Sequence, residues 1–340
     1  MKFRISNFKS IKDLEINLSK VNLLIGPPSS GKSNILEALA LYGYTYKVVE
    51  TFKYRLYEDF PDNLFREIIR FKELDDVFYD PYKEIRINDI EFSIKNDEKS
   101  GKNLICKIDD LEFDIYHFYQ PNEDHLGYVL NKIENIVTPT RLYKYREIPK
   151  NFNEYPDYYL SEDFSNIRKF SRYLKKDKMI KNILEKLGID IDLNNLVIYD
   201  KKLKKFYSLN TLSDGIKRII INYLAIYSNS KFSEKFEKDV IILLEEPETH
   251  IFPHYITDLA KMILYNDKIQ SYVITTHNPY LIKDFINIAE NLQKIDDIKV
   301  FIVYLDDEGL TKIKEYSGEE IFDKIYYEGV DILINYDLLI

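Results

Sequence analysis

Tryptophan is missing from this chain of 340 residues, cysteine occurs once, methionine three times and histidine five times. A single thiol, Cys106, cannot close an internal disulfide or build a zinc site by itself. The chain therefore reads as a protein of a reducing, cytoplasmic compartment. No run of about 18 uncharged apolar residues occurs, so no spanning helix and no membrane partner are expected. The opening Met1-Lys2-Phe3-Arg4 is charged and leads into a strand pattern, unlike the apolar stretch of a signal peptide. Basic residues number 48 against 57 acidic, a net charge of −9. That balance excludes a surface that is positive throughout, while a local basic patch remains compatible with it. Hydrophobic residues make up 45% and aromatic residues 14% of the chain. This is enough for a sizeable core in one large α/β domain or in one core with an insertion.

Glycine is scarce, at ten residues, so each one is expected to serve a backbone need. Two of them frame Gly26-Pro27-Pro28-Ser29-Ser30-Gly31-Lys32-Ser33, which follows the apolar run Val21–Ile25 and precedes the helical pattern Asn34–Leu39. G-x-x-x-x-G-K-S between a strand and a helix is the context a phosphate-binding loop needs. Backbone N–H groups face the phosphates, Lys32 adds a cation at the β- and γ-phosphates, and the Ser33 hydroxyl can hold Mg²⁺. Ahead of it, residues 3–10 and 14–18 alternate like edge strands of a small antiparallel sheet. Lys9 in that sheet is either a nucleotide neighbour or a solvated edge lysine.

Further along, Ser213-Asp214-Gly215-Ile216-Lys217 opens an apolar helical run. Ser213 is suited to cap it, and Gly215 to close approach of a ligand. Val240–Leu244 reads as a buried parallel strand ending in Glu245-Glu246-Pro247. Paired carboxylates at a strand end suit Mg²⁺ and an attacking water. A third strand, Ser271–Thr275, ends in Thr276-His277 at what should be the same edge of the sheet.

In this order, these motifs resemble the ABC-type ATPase heads of the SMC/RecF/OLD group, and more closely the stand-alone prokaryotic AAA-family ATP-binding proteins. The openings F-R-I-S-N-F-K-S-I and E-E-P-E-T-H-I-F-P carry the likeness, which covers about residues 1–50 and 205–305. The resemblance implies an α/β P-loop NTPase with a mixed, largely parallel sheet, an N-terminal antiparallel β-subdomain and an inserted α+β arm. It divides the chain into an ATPase core (1–50 and 205–340) and an inserted β-hairpin and helical subdomain (51–204). It also implies site roles. Gly26, Ser29, Ser30, Gly31, Lys32, Ser33 and Asn34 would bind ATP. Ser33 and Glu245 would bind Mg²⁺. Glu246 would activate water, and His277 would sense the γ-phosphate. Ser213 and Gly215 would cap the γ-phosphate of a second protomer, giving a homodimer on ATP binding. The expected role is an ATP hydrolase acting as a conformational switch in DNA repair, genome maintenance or defence. DNA and a protein partner such as a nuclease are the candidate partners. The alternative is a nucleotide-sensing interaction subunit with little turnover.

Three departures from the family pattern stand out. Pro28 donates no N–H, and Ser29 takes a place where glycine is usual. Glu245 replaces aspartate, lengthening the side chain by roughly 1.5 Å. Asp214 would repel a γ-phosphate and is expected to point away from it.

In the middle, residues 84–116 alternate like antiparallel hairpins, and Gln120 beyond them is either a Mg²⁺-reporting Gln loop or an ordinary polar residue. Residues 160–187 show helical spacing at Phe164, Ile167, Phe170, Leu174, Ile180, Ile183, Leu184 and Leu187. No sustained heptads occur, so long coiled coils are not expected. Arg141-Leu142-Tyr143-Lys144-Tyr145-Arg146 is read either as structural or nucleotide-contacting, or as a nucleic-acid face. Lys201–Lys205 reads as a solvated hairpin turn, with nucleic-acid contact as the other choice. Asp306-Asp307-Glu308-Gly309 reads as a hairpin turn, and the 30 or so residues after it are too few for a fused Toprim nuclease.

Overall fold

The computed structural model describes the chain apart from residues 54–63, 98–100, 110, 115–122, 145–159, 161–163, 165, 171–173, 175–177 and 336–338. The buried strands decide the architecture. Strand β3 (Val21–Ile25) is buried along its whole length, as is β13 (Ser271–Thr275), and β12 (Ile241–Glu245) is buried except at its last residue. Strands covered on both faces belong in the middle of a parallel sheet. They lie there, in the order β15-β14-β3-β13-β12-β8, with β8 (Thr140–Tyr143), β14 (Ile298–Leu305) and β15 (Thr311–Ser317) completing the sheet. All neighbours are parallel except the β14–β15 hairpin. Burying a Val, Leu or Ile contributes about 1.5–3 kcal/mol each, so this sheet is the main store of stability.

Helix α1 (Lys32–Lys53) follows β3 through the glycine-framed loop. Gly43 sits inside it, where glycine weakens a helix by about 1 kcal/mol. A Cβ there would stand 2.4 Å from the Thr140 carbonyl, so the glycine is required for α1 to pack against β8.

The alternating strands form a second, antiparallel sheet in the order β2-β1-β4-β5-β6-β7. It joins β1 (Lys2–Phe8) and β2 (Ile11–Asn17) to β4 (Ile85–Ile87), β5 (Ile90–Asp97), β6 (Gly101–Ile108) and β7 (Leu111–Asp114). The N-terminal subdomain and the hairpins of 84–116 are thus one continuous sheet, linked by pairing of Ile5 with Ile87. A small sheet of β9 (Ile189–Asp192), β10 (Val197–Asp200) and β11 (Lys205–Ser208) places Lys201–Lys204 in an exposed turn.

Short helices α2 (Leu64–Ile68), α3 (Glu123–Ile136) and α4 (Lys178–Leu187) lie in the middle of the chain. Of the expected helical stretch 160–187, a 3₁₀ turn over Ile167–Phe170 and α4 fall among the described residues. Helix α5 (Asp214–Phe236) precedes β12. Helices α6 (Pro253–Leu264) and α7 (Pro279–Asn291) each begin with proline at the first turn, where its missing N–H costs nothing. Helix α8 (Gly318–Tyr326) follows β15 and opens with a capping box between Ser317 and Glu320. None of the described helices is long and apolar enough to cross a membrane.

The basic–aromatic cluster resolves toward the structural choice where it is described. Arg141 and Tyr143 are fully buried in β8, and Lys144 is 8% exposed. The Arg141 guanidinium lies over the rings of Tyr46 and Phe232, 5.8 Å from each centroid, a geometry that offsets part of the cost of burying its charge.

Candidate nucleotide site

Strands β3, β12 and β13 are parallel neighbours, so their C-terminal ends meet at one rim of the sheet, where ligands of such folds bind. A cleft of about 460 Å³ opens there, lined by residues 28–34, Arg70, Glu246, Thr275 and His277.

The loop is held from below. Gly26 (φ +151°) and Gly31 (φ +100°) adopt conformations other residues avoid. A Cβ on Gly26 would stand 2.1 Å from the Val303 carbonyl, and one on Gly31 would stand 2.0 Å from Thr311 Oγ1. The β14–β15 hairpin therefore sets the loop's path. Ser29 is exposed at φ +63°, the left-handed region that the sequence had marked for glycine. Asn34 lines the cleft, but its amide donates to Ser10 Oγ (2.7 Å), which in turn lies 2.6 Å from Thr311 Oγ1. These contacts brace the loop on both sheets.

Lys32 is 6% exposed and donates to the carbonyls of Gly26 (2.9 Å) and Pro27 (2.7 Å). Burial lowers its pKa to about 8, against the opposing pull of Glu246. The ammonium is held inside the loop, where a phosphate oxygen could replace the two carbonyls.

Glu246 departs from ordinary backbone geometry. Its φ is +43°, a strained conformation for a non-glycine residue. Its N–H donates to both the carbonyl and the hydroxyl oxygen of Thr275, each at 3.1 Å. Pro247 then turns the chain, and Thr249 Oγ1 donates to Glu246 Oε2 at 3.3 Å. His277 Nε2 lies 3.7 Å from Glu246 Oε1. Burial, reinforced by Lys32, lowers the His277 pKa against the pull of Glu246. The ring is therefore neutral near pH 7, able to donate one hydrogen bond and accept another.

Glu245 is not among the residues lining the cleft. Its Oε1 pairs with Arg70 Nη2 at 3.0 Å, and Arg70 is the residue that faces the cleft. Arg70 also donates through Nε to Glu37 Oε1 at 2.6 Å. Glu37, on α1, is fully buried and further held by Lys9 (2.5 Å) and Lys144 (3.0 Å). Burial alone would raise the Glu37 pKa, but Lys144, Lys9 and Arg70 outweigh it and hold it below the usual carboxylate range. Lys9 is thus neither a nucleotide neighbour nor a free edge lysine. Arg70 and Glu37 carry no local motif, Lys144 was legible only within the basic–aromatic cluster, and Thr275 only as a strand residue.

The donor set suits Mg²⁺. Ser33 offers a hard oxygen atom in the cleft, the Glu245 carboxylate is paired with Arg70 beside it, and among the described residues no cluster of three His, Cys, Asp or Glu competes as a metal cage. A site that takes most of its ligands from phosphate and water is the usual one for this ion.

Ser213 and Gly215 do not line the cleft of their own chain. Ser213 is exposed at the start of α5 and makes no side-chain cap. A Cβ on Gly215 would stand 2.3 Å from the His250 carbonyl, so this glycine brings α5 against the turn that follows Glu246. Arg218 of the same helix, 1% exposed, donates to the carbonyls of Glu245, Glu246 (3.0 Å) and Pro247 (3.4 Å). Asp214 is exposed, 3.4 Å from Lys217. Gln120 lies outside the described residues.

Comparison with known proteins bears on the family and the fold. The Septu protein PtuA of Bacillus mycoides (strain KBAB4) is 26% identical over 362 residues, an alignment covering 96% of this chain and 46% of that protein. The chain thus spans about half the length of that curated relative. An SMC head solved with the C-winged helix domain of ScpA superposes with a TM-score of 0.50 at 14% identity, covering 94% of this chain and 98% of the other. At that identity the likeness is one of fold. A family model described as "AAA domain, putative AbiEii toxin, Type IV TA system" matches residues 21–283, and the chain belongs to this AAA-domain family, with the α/β P-loop fold of an SMC-type ATPase head.

Proposed function

We propose that the protein binds Mg-ATP and hydrolyses it between two copies of the chain, using the cycle as a conformational switch. The observation that carries this reading is the meeting of Lys32, Ser33, Glu246 and His277 in one cleft while Ser213 and Gly215 of the same chain stay outside it. A second copy would bring its α5 N-terminus to the open side of the cleft, where N–H groups favour a γ-phosphate.

In this reading the loop amides and Lys32 bind the triphosphate, while Ser33 and Glu245 hold Mg²⁺, which when bound neutralises charge on the β- and γ-phosphates. Glu246 takes the proton of the attacking water, and neutral His277 orients Glu246 and reports the γ-phosphate. Closure follows from contacts made only when the γ-phosphate is present. The cytoplasm is the proposed location, with the core at 1–50 and 205–340 and the arm at 51–204. The work coupled to the switch is proposed to lie in DNA repair, genome maintenance or defence, with DNA or a protein such as a nuclease as partner.

One observation favours a slower, nucleotide-sensing subunit. Glu245 is held by Arg70 at 3.0 Å and does not face the cleft. Glu246→Gln separates the two readings. A hydrolase should lose about 100-fold or more in turnover and accumulate as an ATP-bound dimer on a sizing column. A parent protein with negligible turnover, whose partner binding survives the substitution, would establish the sensor instead.

A further inference from the structure

Two residues beyond Glu246, a third carboxyl group of this segment is built into the same turn and has no part in the reading above. Glu248 is 6% exposed and does not line the cleft. Its Oε1 accepts a hydrogen bond of 2.5 Å from the hydroxyl of Thr276, which is fully buried. Thr276 Oγ1 in turn accepts from the N–H of Asn278 at 3.0 Å, and Asn278 caps α7 by accepting from the N–H of Tyr280 at 2.9 Å. The backbone amides of Glu248 and His277 bear on the same carboxyl group. The N–H of Thr276 is fixed to the Leu24 carbonyl of β3 at 3.2 Å. His277 is therefore gripped on both sides of its own backbone by a chain of hydrogen bonds that starts at Glu248.

We propose that Glu248 is a positioning residue, which ties the backbone of Thr276–Asn278 to the turn carrying Glu246 and so keeps the His277 ring facing the Glu246 carboxylate. The inference rests on the assignment of Glu246 as base and His277 as switch. The two side chains that must meet lie just beyond the ends of different strands, 3.7 Å apart. Glu246 reaches its position through a strained backbone, and His277 through a short link between β13 and α7. Each segment could shift independently by an ångström, and a shift of that size can lower a rate by about 100-fold. Glu248 removes that freedom because it belongs to one segment and binds the other.

The direction of the chain also fixes the role of the residue as an acceptor. Asn278 N–H donates to the Thr276 hydroxyl, which therefore spends its own proton on Glu248 Oε1. Among the described residues, Glu248 Oε2 is buried and has no hydrogen-bond partner. Burial raises the Glu248 pKa, and the nearby charge of Glu246 adds to the rise against the hydrogen bonds that oppose it. Glu248 works through the acceptor oxygen that it turns toward Thr276.

The test compares the parent protein with Glu248→Gln, Glu248→Ala and Thr276→Val. Three readouts are taken: ATP turnover at saturation, ATP affinity by calorimetry without Mg²⁺, and hydrogen–deuterium exchange of residues 271–281. Glu248→Gln keeps the acceptor and should match the parent within about two-fold in every readout. Glu248→Ala should leave affinity within about two-fold, lower turnover about ten-fold or more and speed exchange at His277 and Asn278. Should Glu248→Ala fail to fold, Thr276→Val, which removes only the hydroxyl, must show the same split. The proposal is overturned if Glu248→Ala or Thr276→Val keeps parental turnover and exchange, or if Glu248→Gln is as impaired as Glu248→Ala. A parent that does not turn over ATP, yet shows Glu248-dependent exchange at His277, sinks the hydrolase reading and leaves the positioning role standing.

Discussion

The P-loop rim and the cluster around Glu37 share one residue, Arg70, and are built in opposite ways. At the rim, polar groups reach the cleft from the ends of adjacent strands, and Glu246 is nearly half exposed. In the cluster, Lys9, Arg70 and Lys144 come from segments 28, 33 and 107 residues away from Glu37 and close on its carboxylate, which is out of water. The rim leaves hydrogen-bonding capacity for a ligand, whereas the cluster has already used its own. Substitutions should therefore strike binding and turnover at the rim, and folding at the cluster.

The largest effect tests that contrast directly. Glu37→Ala leaves Lys9 and Lys144 facing a buried gap, their side chains only 14% and 11% exposed. Removing one partner from a buried ion cluster costs about 3–5 kcal/mol, measurable as a lower midpoint in urea. Glu246→Ala, at a half-exposed site, should change stability by less than about 1 kcal/mol. Equal losses would break the comparison. The sign with pH follows from the depressed pKa of Glu37. Its contribution is full above the unfolded carboxylate range, and is lost as pH falls through the lower folded value.

Arg70 sharpens the boundary because it binds Glu37 with Nε and Glu245 with Nη2. Its side chain is 56% exposed, so the Glu245 pair is worth about 1 kcal/mol at most. Arg70→Gln frees the Glu245 carboxylate for the metal. The Mg²⁺ concentration needed for half-maximal ATP binding should fall up to about five-fold, 1 kcal/mol expressed as a ratio. A rise instead would mean that Arg70 helps to hold the phosphates.

How far the sequence could be read follows the same line. Gly26, Lys32, Glu246 and His277 each stand beside a strand whose apolar run announces it, and parallel strands deliver their ends to one edge whatever their separation in the chain. Arg141 stands in β8, only four residues long, and Lys144 directly after it. Charge and aromatic content there were compatible with a structural or nucleotide-contacting role and with a nucleic-acid face. Which one holds depends on Tyr46, Phe232 and Glu37, which no local pattern connects to β8. Arg70 was silent for the same reason. Glu248 lay in plain view within E-E-P-E-T-H, but nothing in those letters says that its partner is Thr276.

Lys32 gives a smaller effect, of a kind the cluster cannot give. With a pKa of about 8, it is half protonated at pH 8, and a bound triphosphate would restore its proton. Calorimetry without Mg²⁺ in buffers of different ionisation heat should show uptake of about half a proton per site at pH 8, vanishing near pH 6. Proton release at pH 8 would contradict the geometry. The same titration with Glu37→Gln should be unchanged if the two regions are energetically separate.

The smallest effect concerns the loop itself. Ser29 holds φ +63° at an exposed position, where a left-handed serine costs about 1–2 kcal/mol. Glycine removes that strain but loosens the unfolded chain by about 0.4–1 kcal/mol. Ser29→Gly should thus raise stability by about 1 kcal/mol or less, with ATP affinity held or slightly improved because no side chain then rims the phosphate path. A loss of affinity of ten-fold or more would show that the hydroxyl is itself a ligand contact, and that this loop departs from a purely backbone cradle at the position where serine replaces glycine.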